Sequence, residues 1–174
     1  MLGIIPDLAT YAKAMAGGFP IAMIAGRRDV MDYIGNGTVY HGGSFNSNVM
    51  SIAAAYASLK YIQDGGAEFY RNLNEKGHRL MDGLRSVAKS QESDLHVQGL
   101  GSVFAISFTT KHEIMNWRDH ARNCDDEKYG RFAREMLKKG IRLASNGRTH
   151  LSSAHTNEDI DETIAAVAAV LPTL

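Results

Sequence analysis

The chain has 174 residues, and its 19 lysine and arginine residues balance 19 aspartates and glutamates, so the formal charge is zero. That balance removes the electrostatic reason to expect a nucleic-acid or anionic-membrane partner. Hydrophobic residues at 44% and charged residues at 22% exclude a disordered chain and fit an ordinary globular one.

The opening stretch is rich in glycine: Gly17-Gly18, Gly26, Gly35, Gly37 and Gly42-Gly43 separate short apolar runs. Such punctuation reads as strands and tight loops. Ile21 to Ala25 is the best strand, and its unbroken apolarity predicts burial on both faces, as in a parallel sheet. Asp29 to Ile34 reads as a short helix. After Asn48 the period becomes helical, with Ile52, Ala55, Tyr56, Leu59 and Ile62 on one stripe ending at Asp64-Gly65-Gly66. A second helix carries Phe69, Leu73, Leu80, Leu84 and Val87 along its buried side.

From Leu95 the texture is α+β. His96–Gln98 and Val103–Phe108 read as strands around Gly99-Leu100-Gly101. Helices are predicted from about His112 to Arg122 and from about Asp125 to Lys139, the latter stopped by Gly140. Strands are predicted at Ile141–Ala144 and His150–Ala154. Thr156 and Asp159 form a capping-box pattern ahead of a last helix with Ile160, Ile164, Val167 and Leu171 buried.

Much chemistry is excluded. One cysteine, Cys124, allows no internal disulfide and no cysteine-based zinc site. Of the seven histidines, His150 and His155 are the nearest to a metal pair, and a polar cluster explains them better; no metal site is expected. Asp125-Asp126 sits where a helix start needs negative charge. No apolar run approaches the ~20 residues that span a bilayer, and Met1 to Pro6 lacks the basic lead of a secretory signal. The chain reads as soluble, cytoplasmic, and without membrane or nucleic-acid partners.

Two segments remain. In Pro6-Asp7-Leu8-Ala9-Thr10-Tyr11-Ala12-Lys13-Ala14-Met15-Ala16-Gly17-Gly18-Phe19-Pro20, Lys13 stands among small and apolar neighbours. A lysine buried in such a niche is costly unless its charge is neutralised or its amine is chemically used, for example as a Schiff base with an aldehyde. In Tyr40-His41-Gly42-Gly43-Ser44-Phe45-Asn46-Ser47-Asn48, glycines and a serine precede a helix, an arrangement that can hold a phosphate. An ordinary turn and helix cap is the plainer reading of that segment alone.

Together, the lysine segment, Gly26-Arg27-Arg28 and Gly42-Gly43-Ser44-Phe45 with Asn48 resemble the class III aminotransferases, fold-type I pyridoxal-phosphate (PLP) enzymes. The resemblance continues through Gly99–Phe104, Gly140–Leu143 and Ser153–Ile160, and is nearest the glutamate-1-semialdehyde aminomutase-like branch. It implies an α/β fold: residues 1–46 as the end of a PLP-binding large domain with a mainly parallel sheet, 47–90 as connecting helices, and 91–174 as a small α+β domain.

The resemblance implies that Lys13 forms the Schiff base with PLP and moves a proton between the substrate carbon and the cofactor. It implies that Ser44, beside Gly43, contacts the cofactor phosphate of the neighbouring subunit, so a homodimer shares its active sites. A small-molecule amino donor and a keto acid or aldehyde acceptor follow as substrates. The aminomutase branch resembles a serine-containing loop with a Phe-Glu pair; here Ala144–His150 is shorter and lacks the glutamate, which favours transamination and singles out Arg148 as a carboxylate ligand. Only the C-terminal part of the family pattern is matched, so the isolated chain is expected to show little activity and to fold poorly. The alternatives are a 2,1-aminomutase and a catalytically inactive fragment or interaction module.

Overall fold

The computed structural model describes residues 3–174, arranged as two compact units, Met1–Gly66 and Ala67–Leu174. Met1 and Leu2, which open the segment read as lacking a signal sequence, lie outside the described residues. Helices and sheets are both present, in keeping with the expected α/β class.

The first unit starts with an antiparallel pair, β1 (Leu8–Tyr11) and β2 (Met23–Gly26), in register Leu8 with Gly26 and Tyr11 with Met23. A 3-10 turn, Lys13–Ala16, sits between them, and α1 (Arg28–Gly35) follows. The base of the ribbon is fastened by Arg27, which donates to Asp7 at 2.8 Å and to Asp29 at 2.6 and 3.0 Å. Gly26 is required here, because a Cβ would strike the Asp7 carbonyl. The strand differs from the expected one. It begins two residues later than Ile21, pairs antiparallel, and alternates between half-buried and exposed. A two-stranded ribbon has no second layer on one face, so continuous apolarity leaves Ile24 40% exposed. The small core of this unit is Met15, Ala16 and Ala55, with Ile21, Met23 and Ala54 against it.

Helix α2 (Val49–Ser90) is two helical stretches meeting at Gly66, whose φ of 53° and ψ of −140° break the helical run. The glycine that ends one apolar stripe and begins the next therefore also marks the boundary between the units. Asn48 caps the first stretch by accepting from the Ser51 amide at 3.0 Å.

The second unit is built on a three-stranded antiparallel sheet, β3 (Leu95–Leu100), β4 (Val103–Phe108) and β5 (Arg148–His150), in that order. Around it lie α3 (Trp117–Asn123), α4 (Asp126–Lys138) and α5 (Asn157–Val170). Leu95, Val97, Phe104, Ile106 and Phe108 face one core with Leu80 and Leu84, with Phe132 and Met136, and with Ile160 and Val167. The opposite sheet face keeps Leu100 and Val103 largely exposed, the one-sided burial usual for antiparallel sheets. The capping box of α5 forms as expected: the Thr156 amide donates to Asp159 at 2.7 Å, and the Asp159 amide donates to the Thr156 hydroxyl at 3.1 Å.

Three expectations in this unit need correction. The helix predicted from His112 starts only at Trp117, because Gln98 pairs with both backbone groups of Ile114 at 3.1 and 2.9 Å and holds that segment extended. Ile141–Ala144 is not a strand: Ile141 and Leu143 pack on the core, but the Ala144 carbonyl accepts from the Tyr129 hydroxyl at 2.7 Å instead of joining a ladder. The strand predicted at His150–Ala154 lies earlier, at Arg148–His150, where it pairs with Val103–Ala105.

Candidate active site

Lys13 opens the 3-10 turn with φ +56°, a left-handed backbone that only glycine adopts without cost. The turn is held by the Met15 amide donating to Ala12 at 3.2 Å and the Gly17 amide donating to Ala14 at 3.3 Å. Met15 and Ala16 anchor it in the core, whereas Lys13 itself is exposed. The buried amine expected from its neighbours is thus not what the structure shows. Small and apolar neighbours bury a side chain only where a second wall exists, and the ribbon supplies one wall, taken by Met15. Among the described residues the Lys13 amine has no hydrogen-bond or ion-pair partner.

Gly43 and Ser44 lie on an exposed turn closed by the Asn46 amide donating to the Gly43 carbonyl at 3.0 Å. A Cβ at Gly43 would press on the Asn46 side-chain oxygen at 3.0 Å. Ser47, with φ +61°, redirects the chain into the helix capped by Asn48. One turn further on, Ser51 is 1% exposed, and its hydroxyl has no partner among the described residues. It lies four residues before Ala55, on the face that packs toward Met15. No motif in the sequence distinguishes this serine from a helix-surface one; its position on the buried stripe is the only signal.

A groove of about 900 Å³ in this unit is lined by Met15, Ile21, Met23, Phe45, Ser47 and Ile52, among others. Neither Lys13 nor Ser44 lines it, although each is within two residues of one that does. Lys13 and Ser44 therefore belong to the same unit but do not converge on one recess. Arg148 belongs to the other unit, exposed on β5, where it lines a recess of about 290 Å³ with Arg142, Thr149 and His150. Arg142 and His150 were not singled out as ligands from the sequence; both became candidates only when loop and strand were placed. His150 and His155 do not cluster as metal ligands, and no group of three or more His, Cys, Asp or Glu among the described residues is placed to hold a metal ion. No helix among them is long and apolar enough to cross a membrane.

The chain matches the family Aminotransferase class-III over residues 1–171, and it belongs to that family. It is 34% identical over 170 residues to a glutamate-1-semialdehyde 2,1-aminomutase of Clostridium kluyveri, covering 96% of this chain and 40% of the relative. It is 37% identical over 174 residues to the protein of the same name from Desulforapulum autotrophicum, covering 98% of this chain and 40% of the relative. Among solved structures, a β-phenylalanine aminotransferase from Variovorax paradoxus superposes with a TM-score of 0.85 at 29% identity, covering 98% of this chain and 39% of that one. The chain thus spans about 40% of the length of the curated relatives it matches.

Enzymes of this family use PLP, which asks for an amine to hold its aldehyde and for donors to its phosphate. The residues present fit both requirements: the Lys13 amine is committed to no other partner among the described residues, and the Gly43-Ser44 turn exposes a hydroxyl.

Proposed function

We propose that this chain is the lysine-bearing portion of a PLP-dependent aminotransferase, which moves an amino group between an amino acid or amine and a keto acid or aldehyde. The observation that carries the reading is Lys13 itself. It stands in the segment that matches the family, its amine has no partner among the described residues, and its backbone is left-handed at φ +56°. A non-glycine residue in that conformation costs on the order of 1–3 kcal/mol, and such strain collects at functional positions.

Lys13 would hold the cofactor covalently through Nζ, and Ser44 with Gly43 would donate to the phosphate of the cofactor held by the neighbouring subunit. When bound, the cofactor acts as an electron sink for the pair left by a breaking C–H bond. The Lys13 amine would take the proton from that substrate carbon and later return one. Arginine would keep the positive charge but could not release a proton near neutral pH. Arg148, whose planar fork matches a carboxylate, would orient the substrate acid. In this reading Ser44 serves the neighbouring subunit, so the enzyme is a homodimer with shared sites, and it works in the cytoplasm. Residues 1–46 close the cofactor-binding domain, 47–90 connect, and 91–174 form the small domain.

A second reading, a 2,1-aminomutase, is favoured by the names of the relatives at 34% and 37% identity. It uses the same lysine but returns the amino group to the same carbon skeleton. Adding PLP, reducing with borohydride and mapping the modified peptide tests the shared core of both: Lys13 should be the dominant site, and Lys13→Ala should abolish it. Label spread evenly over the surface lysines would refute the role of Lys13 and leave the inactive-fragment reading. Transfer to an external keto acid then marks an aminotransferase, whereas rearrangement without an acceptor marks a mutase.

A further inference from the structure

We propose that Asn36 is a site of spontaneous deamidation, a chemical modification that the fold permits there and withholds from Asn146. Asparagine followed by glycine occurs twice in the chain, at Asn36-Gly37 and Asn146-Gly147. Glycine has no Cβ to crowd its backbone nitrogen, so the two pairs share one local reactivity. In the reaction the Gly37 nitrogen gives up its proton and bonds to the Asn36 side-chain carbon Cγ. The Cγ–Nδ2 bond breaks, and the leaving nitrogen takes up a proton in its turn and departs as ammonia. Water then opens the cyclic imide at either carbonyl, leaving aspartate or isoaspartate at position 36. Water is the one co-reactant.

Asn36 follows directly on α1, a helix none of whose residues is buried, and Asn36, Gly37 and Thr38 are all exposed. The bonds that shape this turn are short-range. The Asn36 amide donates to Asp32 at 2.8 Å, the Gly37 amide to Ile34 at 3.2 Å, and the Val39 amide to Tyr33 at 2.8 Å. The Thr38 amide donates to the Asn36 side chain at 3.0 Å. Fraying of the last helical turn frees the attacking nitrogen, and an exposed helix end opens at little cost. Gly37 has φ +81°, and no heavy atom lies within 4 Å of where its Cβ would stand. The ring therefore has room to close.

Asn146-Gly147 has the same residue order in a different setting. Gly147 is buried, and its carbonyl accepts from the Ile106 amide of β4 at 2.9 Å. Its amide, the nitrogen that would attack, donates to Ala144 at 3.2 Å, and the Asn146 side chain accepts from the Arg148 amide at 3.1 Å. A Cβ on Gly147 would lie 2.3 Å from the Ile106 carbonyl oxygen and 3.8 Å from the Tyr129 ring, so the backbone has no space to turn. Ring closure here requires the start of β5 to leave β4. Breaking that long-range bond and uncovering Gly147 makes the opening about tenfold rarer than fraying, or more. Conversion of Asn36 adds a negative charge at the C-terminal end of α1, where the helix dipole disfavours it. Isoaspartate also lengthens the main chain in the segment that leads to Ser44. The reaction needs neither cofactor nor Lys13, so its outcome is separate from the role proposed for Lys13.

The test incubates the full 174-residue chain, without PLP, in mildly alkaline buffer. Peptides carrying Asn36 and Asn146 are followed by mass spectrometry, and the isoaspartyl product is separated by its chromatographic retention. A parallel sample in urea gives both rates without structure. In the native chain Asn36 should convert about tenfold faster than Asn146, or more. Its rate should stay within about threefold of its own rate in urea, where the two sites should become equal. The Ile106 amide of the native sample should exchange slowly, because the Gly147 carbonyl holds it. Gly37→Ala should slow conversion at Asn36 in both samples by crowding the attacking nitrogen. An Asn146 that converts as fast as Asn36 in the native chain would overturn the proposal. So would an Asn36 that is protected about tenfold by the fold, or an Ile106 amide that exchanges freely.

Discussion

Replacing Lys13 by glycine and by alanine separates what this position does for the fold from what it does for chemistry. The side chain is exposed, so truncation to alanine removes no packing and should change stability by less than about 0.5 kcal/mol. The backbone at φ +56° is another matter. A left-handed residue with a Cβ pays roughly 1–2 kcal/mol that glycine does not. Glycine gives back about 0.5–1 kcal/mol through the greater freedom of the unfolded chain. The net advantage of Lys13→Gly over Lys13→Ala is therefore about 0.5–1 kcal/mol, or roughly two- to fivefold in an opening equilibrium. Amide exchange reads it locally, at Met15, Gly17 and Phe19, whose N–H groups close the turn at 3.1–3.3 Å. These three should exchange two- to fivefold more slowly in the glycine variant. Both variants lack the amine, and both should lose the PLP adduct. Equal exchange in the two variants would show that Lys13 stores no strain and would remove the structural support for its special role.

Phe132 is fully buried, edge-on to Phe108 with ring centroids 5.5 Å apart; Phe132→Ala should cost about 3–5 kcal/mol, read as a lower urea midpoint. A methyl at Gly77 would strike the backbone of Gly101 and Ser102, whereas one at Gly83 would meet the end of the Ile164 side chain. Gly77→Ala should therefore destabilise by about 1–3 kcal/mol and clearly more than Gly83→Ala, compared by thermal melts of the two variants. The Asp159 carboxyl is held below the ordinary carboxylate range, first by the Thr156 amide and then by its hydroxyl. A depressed acid stabilises the fold above its unfolded pKa of about 3.9. That contribution should fade as pH falls from about 4 through the lower folded value. Amide exchange at the start of α5 should accelerate over that window, and Asp159→Asn should flatten the response.

The second unit was the more legible in sequence because its signals are local and agree with its packing. The stripe Leu80, Leu84 and Val87, the strand Val103–Phe108, and the Thr156–Asp159 box each carry their own period or cap. Two of the misplacements fall where a distant side chain takes a backbone group. Gln98 holds Ile114 away from a helix, and Tyr129 takes the Ala144 carbonyl from a ladder. Neither competitor is visible within the window that predicts the element. The candidate site divides in the same way: Lys13, Gly43 and Ser44 stand out by residue type and order, whereas the buried hydroxyl of Ser51 and the nearness of Arg142 to Arg148 do not.

Residue order alone determined the family, the attachment lysine proposed for it, and the glycine at which one apolar stripe gives way to the next. Those are properties of short contiguous segments, and a linear chain displays them directly. Tertiary structure decided that Lys13 is exposed on a strained backbone and that the first strand pair runs antiparallel with one face open. It also decided that two arginines separated by a glycine turn line one recess. Burial and convergence depend on which surfaces meet, and the identity of the second surface is not encoded in the neighbours along the chain.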